Sequence, residues 1–104
     1  GEAYRQSKQA NRMLTVAFAE RLKPYGVSVN ACHPGDVHST LSNNLGFKGS
    51  QTPDEAARTP VWLAVSPACH TVTGKYFERM GEVRCPFGEN RRAVQELYEV
   101  LLSC

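Results

Sequence analysis

Tyr4 and Lys8 stand four residues apart in a stretch, residues 2 to 23, that reads as one helix. That spacing puts both side chains on one helix face, with Cβ atoms about 5–6 Å apart. A phenol with a pKa of about 10 is a poor base at neutral pH, and a deficit of about three units corresponds to roughly 4 kcal/mol. A neighbouring ammonium favours the phenolate, lowers that pKa and turns the hydroxyl into a usable general acid and base. The same spacing also fits an exposed aromatic and an exposed lysine with no partnership, so the pair needs a context.

The elements around it supply one. Ala10, Leu14, Ala17, Phe18 and Leu22 recur at three- and four-residue steps and form an apolar helical stripe, which Lys23-Pro24-Tyr25-Gly26 ends. Val27 to Cys32 reads as a short strand running into Pro34-Gly35. A polar, glycine-bearing loop spans Asp36 to Gln51. Thr52-Pro53-Asp54-Glu55 is a helix start, with a Thr cap, proline in the first turn and two acids near the positive end of the dipole. That helix carries Ala56, Ala57, Val61, Trp62, Ala64 and Val65 until Pro67 stops it. Thr73 to Phe77 reads as a second strand, Arg79 to Gly88 as a loop, and Glu89 to Ser103 as a last amphipathic helix through Val94, Leu97, Tyr98, Leu101 and Leu102.

The order helix-strand-helix-strand-helix predicts an α/β fold whose strands pair in parallel through a right-handed crossover. Two parallel strands do not make a self-sufficient sheet. The expectation is therefore that residues 1–104 form the C-terminal portion of one Rossmann-like, doubly wound domain, with the remaining strands upstream of Gly1. The helical residues at the start carry no Ser, Thr, Asp or Asn cap, which fits Gly1 as a cut point.

Composition narrows the function classes. A chain of 104 residues with 41% hydrophobic and 21% charged residues has room for one globular domain. The net charge of +2, with no dense Lys/Arg run, argues against nucleic acid and against an anionic membrane surface as partners. The longest apolar runs, such as Val61 to Val65, fall far short of the ~20 residues a membrane span needs. No signal or transit segment is evident, which gives a cytoplasmic or cytosol-facing location as the expectation. Cys-His pairs occur at Cys32-His33 and Cys69-His70, but neighbours on a strand point to opposite faces, and no Cys-x-x-Cys occurs. No metal site is expected, and the four cysteines read as free thiols.

The run Tyr4-Arg5-Gln6-Ser7-Lys8-Gln9-Ala10-Asn11, the strand Val27 to His33 and the turn Pro34-Gly35-Asp36-Val37-His38-Ser39 together resemble the short-chain dehydrogenase/reductase family. His33-Pro34-Gly35 and Gly74-Lys75-Tyr76-Phe77 resemble its branch of retinol-dehydrogenase-like and WW-domain-oxidoreductase-like members. The resemblance covers essentially the whole chain. It implies that Tyr4 is the catalytic acid/base and that Lys8 binds the nicotinamide ribose and lowers the tyrosine pKa. Pro34, Gly35 and Val37 would line the nicotinamide, with Ser39 near the cofactor's amide or diphosphate. NADP or NAD is the implied cofactor, and a carbonyl or alcohol of retinoid, steroid or lipid type the implied substrate.

Asp36 and His38 depart from that branch, where an apolar residue and an Arg are common, and the loop Thr40 to Gln51 is short and polar. In this family the Gly-rich phosphate-binding turn and the catalytic serine and asparagine precede the tyrosine, so these residues alone are expected to be inactive. The resemblance also implies a homodimer through the first helix, with Leu14 and Phe18 as contacts or, equally, as core. A second class stays open beside the enzyme: an inactive truncated product or interaction module that keeps the C-terminal helices.

Overall fold

In the computed structural model, the described residues are 1–33 and 52–104. Helix α1 spans Glu2–Leu22, a run of good helix formers with no internal Gly or Pro. Pro24 opens a 3-10 turn over Lys23–Tyr25, and Gly26 reverses the chain at φ +72°, a left-handed conformation that glycine takes without steric cost.

Strand β1 covers only Ala31–His33, shorter than the stretch from Val27 expected from its β-branched residues. The preceding residues do run beside residues 72–75, where the Gly74 amide donates to the Val29 carbonyl at 2.7 Å and the Ala31 amide to the Lys75 carbonyl at 2.9 Å, and side chains supply the other bonds. The Val29 amide donates to the Thr73 hydroxyl at 3.0 Å. The Asn30 side chain donates to the Val72 carbonyl at 3.0 Å and accepts from the Lys75 amide at 3.1 Å. Gly74, at φ +74°, prevents regular strand there, so β2 begins at Tyr76 and runs to Glu78 instead of starting at Thr73. β1 and β2 pair in parallel, with Ala31 opposite Tyr76 and His33 opposite Glu78.

The sheet then departs from the all-parallel expectation. Residues Gly81–Val83, read from sequence as loop, form β3, antiparallel to β2, giving the order β1-β2-β3. The intervening turn puts Arg79 at φ +50° and Met80 at φ +60°, a two-residue hairpin built without the Asn-Gly pair that normally announces one.

The expected helix from Thr52 to Val65 is also broken. Thr52 caps it as expected, its hydroxyl accepting from the Glu55 amide at 3.2 Å. However, α2 (Pro53–Ala56) and α3 (Arg58–Val65) are separate. Pro60 lacks the N–H that would bond to the Ala56 carbonyl, so the ladder is interrupted at that point. A short helix α4 (Pro86–Glu89) forms within the stretch read as loop, and the expected last helix begins two residues later than Glu89 as α5 (Arg91–Leu102), with the Asn90 side chain capping it through the Ala93 amide at 3.1 Å.

Tyr76 meets Arg12 of α1 while Phe77 meets Trp62 of α3, ring centroids 5.7 Å apart. Adjacent strand residues face opposite sides, so the sheet lies between two helical layers. On the α1 side, Phe18 packs edge-on against Tyr98 of α5 at 5.8 Å, and the Arg21 guanidinium caps the same ring at 3.5 Å. Phe18 is thus engaged within the chain. Gly88 of α4 lets that helix approach α1, since a Cβ there would stand 2.8 Å from a Val16 methyl. Ala17, Ala19, Tyr76, Phe77 and Val94 are buried, yet among the described residues no large side chain is fully enclosed. Among them, too, no helix is long and apolar enough to cross a membrane.

Candidate active site

Helix periodicity places Tyr4, Lys8 and Arg12 at successive four-residue steps, and all three line one cleft of about 730 Å³. Its other wall includes Cys32 and His33 of β1 and Tyr76 of β2. The Lys8 ammonium lies 5.5 Å from the Tyr4 ring centroid, within cation–π range. The two groups therefore meet on one face, as the four-residue spacing predicts. Tyr4 lines the cleft and remains 54% exposed. The Ser7 hydroxyl is turned back to the Tyr4 carbonyl at 2.7 Å.

Among the described residues the cleft is electropositive: Arg5, Lys8 and Arg12 line it against Glu2 as the acidic side chain. At its inner end the Arg12 Nη2 donates to the Tyr76 hydroxyl at 2.7 Å, and that hydroxyl donates in turn to a Glu78 carboxylate oxygen at 3.3 Å. Burial pushes the Tyr76 phenol above its usual range; the Arg12 charge opposes this and Glu78 adds to it. Burial likewise pushes the Cys32 thiol up.

His33 ends β1 at the mouth of this cleft. Pro34, Gly35, Val37 and Ser39, the cofactor-binding residues expected from the sequence, lie outside the described residues, as do Asp36 and His38. Arg12, His33 and Tyr76 were not among the expected site residues. Arg12 carried a usable signal, since it continues the Tyr4–Lys8 step by one more turn. Tyr76 stood in the Gly74 to Phe77 motif, but nothing in the sequence linked it to Arg12, 64 residues away. Among the described residues no three metal-ligating side chains converge. Cys69 is buried, Cys32 and Cys85 are half-buried and Cys104 is exposed, all as free thiols.

The residues present suit a nicotinamide cofactor. An ammonium with three donors stands beside a phenol in an open positive cleft, at the carboxyl end of a parallel strand where open α/β sheets bind ligands.

Comparison with known proteins agrees. The chain is 36% identical over 86 residues to retinol dehydrogenase 11 of Mus musculus, covering 74% of this chain and 27% of that protein. It is 31% identical over 112 residues to retinol dehydrogenase 13 of Homo sapiens, covering 92% and 34%. A probable oxidoreductase of Streptomyces antibioticus is 35% identical over 105 residues, covering 84% and 35%. The chain belongs to the short-chain dehydrogenase/reductase family, with retinol dehydrogenase-like relatives. It spans about a third or less of the length of these curated relatives. No protein-family model matches the chain. No solved structure matches it either.

Proposed function

We propose that this chain is the C-terminal portion of a Rossmann-like dehydrogenase domain and carries its proton-transfer machinery. In this reading the complete enzyme interconverts a carbonyl and an alcohol with NADP or NAD. The names of the relatives favour a retinoid, or a steroid- or lipid-like analogue, as substrate. Its location is cytoplasmic or at the cytosolic face of a membrane, and a homodimer through α1 would form around Leu14 more readily than Phe18, which Tyr98 already occupies.

When bound, the cofactor supplies the hydride equivalent that the carbonyl carbon accepts. Tyr4 gives its phenolic proton to the carbonyl oxygen and is left as phenolate; in the oxidising direction it takes the alcohol proton back. Lys8, against the ring face, stabilises that phenolate and has donors left for the ribose hydroxyls. Pro34, Gly35 and Val37 would shape the nicotinamide pocket, and Ser39 would hydrogen-bond the cofactor. The placement of the Lys8 ammonium over Tyr4, inside a cleft flanked by β1, is the observation that carries this reading.

The test is carbonyl reduction by the full-length polypeptide with NADPH and NADH. Tyr4→Phe is expected to lower kcat by about a hundredfold or more, the usual scale of general acid–base catalysis. Lys8→Met should lower kcat and raise the cofactor KM. The 104 residues alone should show no turnover. A Tyr4→Phe enzyme of undiminished rate removes the assignment.

A further inference from the structure

The first two turns of α1 are exposed along their whole length. Every residue from Gly1 to Lys8 is exposed, whereas among the described residues Val16, Phe18 and Arg21, further along α1, pack against α4 and α5. Arg12 makes the one side-chain hydrogen bond from α1 to the sheet among the described residues, to the Tyr76 hydroxyl at 2.7 Å. Its guanidinium also lies 4.1 Å from the Tyr76 ring centroid. Tyr76 is buried, on the central strand, with Glu78 accepting from its hydroxyl. The anchor is therefore rigid at the sheet end and carries a planar, stacked fork at the helix end.

A side-chain tip rides at about 5–6 Å from a helix axis, so a rotation of about 20° carries it through about 2 Å. Misplacement by about 1 Å can cost a reaction about a hundredfold. Arg12 is one turn from Lys8 and two from Tyr4, on the same stripe. We propose that Arg12 is a positioning residue: clamped on Tyr76, it sets the rotation of the N-terminal half of α1 and so holds Tyr4 and Lys8 over the cleft. This rests on the acid/base role proposed for Tyr4, and it makes Tyr76 a remote support of the same geometry.

The experiment is a double-mutant cycle on kcat in the full-length enzyme, with Tyr4→Phe as reference. Arg12→Met is expected to lower kcat about tenfold and Tyr76→Phe about fivefold, each leaving the KM for the carbonyl substrate within about twofold. The double variant should be no slower than Arg12→Met, because both changes break one link. Arg12→Lys, which keeps the charge and loses the stacked fork, should stay impaired. Tyr76→Phe removes a single oxygen and keeps the packing, so it carries the test if Arg12→Met does not fold. Undiminished kcat in Tyr76→Phe and in any folded Arg12→Met, or losses that multiply in the double variant, overturns the proposal. If Tyr4→Phe is inactive and Arg12→Met fully active, only the positioning role falls; if Tyr4→Phe is fully active, the acid/base reading falls and this role with it.

Discussion

The Met80 amide donates to the Thr59 hydroxyl at 3.1 Å, joining the β2–β3 turn to helix α3 across 21 residues of chain. Thr59 is the one buried polar side chain among the described residues, at 6% exposure. A two-residue hairpin leaves the amide of its second turn residue outside the ladder, and Thr59 supplies its partner. The bond thus completes a turn whose own residues do little to favour it.

Thr59→Val keeps the shape and removes the acceptor. The Met80 amide is then left unsatisfied near a buried position, which costs about 1–3 kcal/mol. Urea denaturation of the full polypeptide should show that drop in the unfolding free energy with an unchanged m-value. Equal stability would mean that solvent already satisfies the amide.

Arg79 and Met80 both sit at positive φ, which costs a residue with a Cβ roughly 1–2 kcal/mol. Both side chains are exposed, so little packing is lost by replacing them. Arg79→Asn combined with Met80→Gly should raise stability by about 1 kcal/mol, the relief of strain being partly offset by the greater backbone freedom of glycine when unfolded. The melting temperature reads it directly, and a decrease would show that the turn is held by side-chain contacts instead.

The Cys32 thiol lies in the cleft wall and burial pushes its pKa up. A raised pKa means a smaller thiolate fraction at any given pH, and the thiolate is the nucleophile. Iodoacetamide labelling of Cys32, followed by peptide mass spectrometry across a pH series, should reach half its maximal rate at higher pH in the native protein than in urea. Coincident curves would show that Cys32 is open to water.

The local features of the fold could be read in the residues: the length of α1, its end at Pro24-Gly26, the Thr52 cap, and two strands separated by helices. Each rests on short-range chemistry, a cap, a glycine or a period of 3.6. What escaped was decided by position relative to something distant. Pro60 stands in the first turn of a helix of its own, Arg58–Val65, and so splits one expected helix into two. The Arg79-Met80 turn lacks the residues such turns prefer, and Thr59 compensates from another helix. Asn30 looked like one residue of a strand, and its side chain instead bonds Val72 and Lys75 beside the backbone bonds of Val29 and Ala31.

The amino-acid order by itself determined that Tyr4 and Lys8 share a face, because helical periodicity is a property of consecutive residues. It also determined the family, because the Tyr-x-x-x-Lys run and the His-Pro-Gly corner are linear patterns. Only the tertiary structure decided which wall that face looks onto, that Arg12 closes on Tyr76, and that a third strand runs antiparallel beside the second. Those outcomes depend on which groups are buried together and in what register, and the chain settles them only once its separate elements have packed.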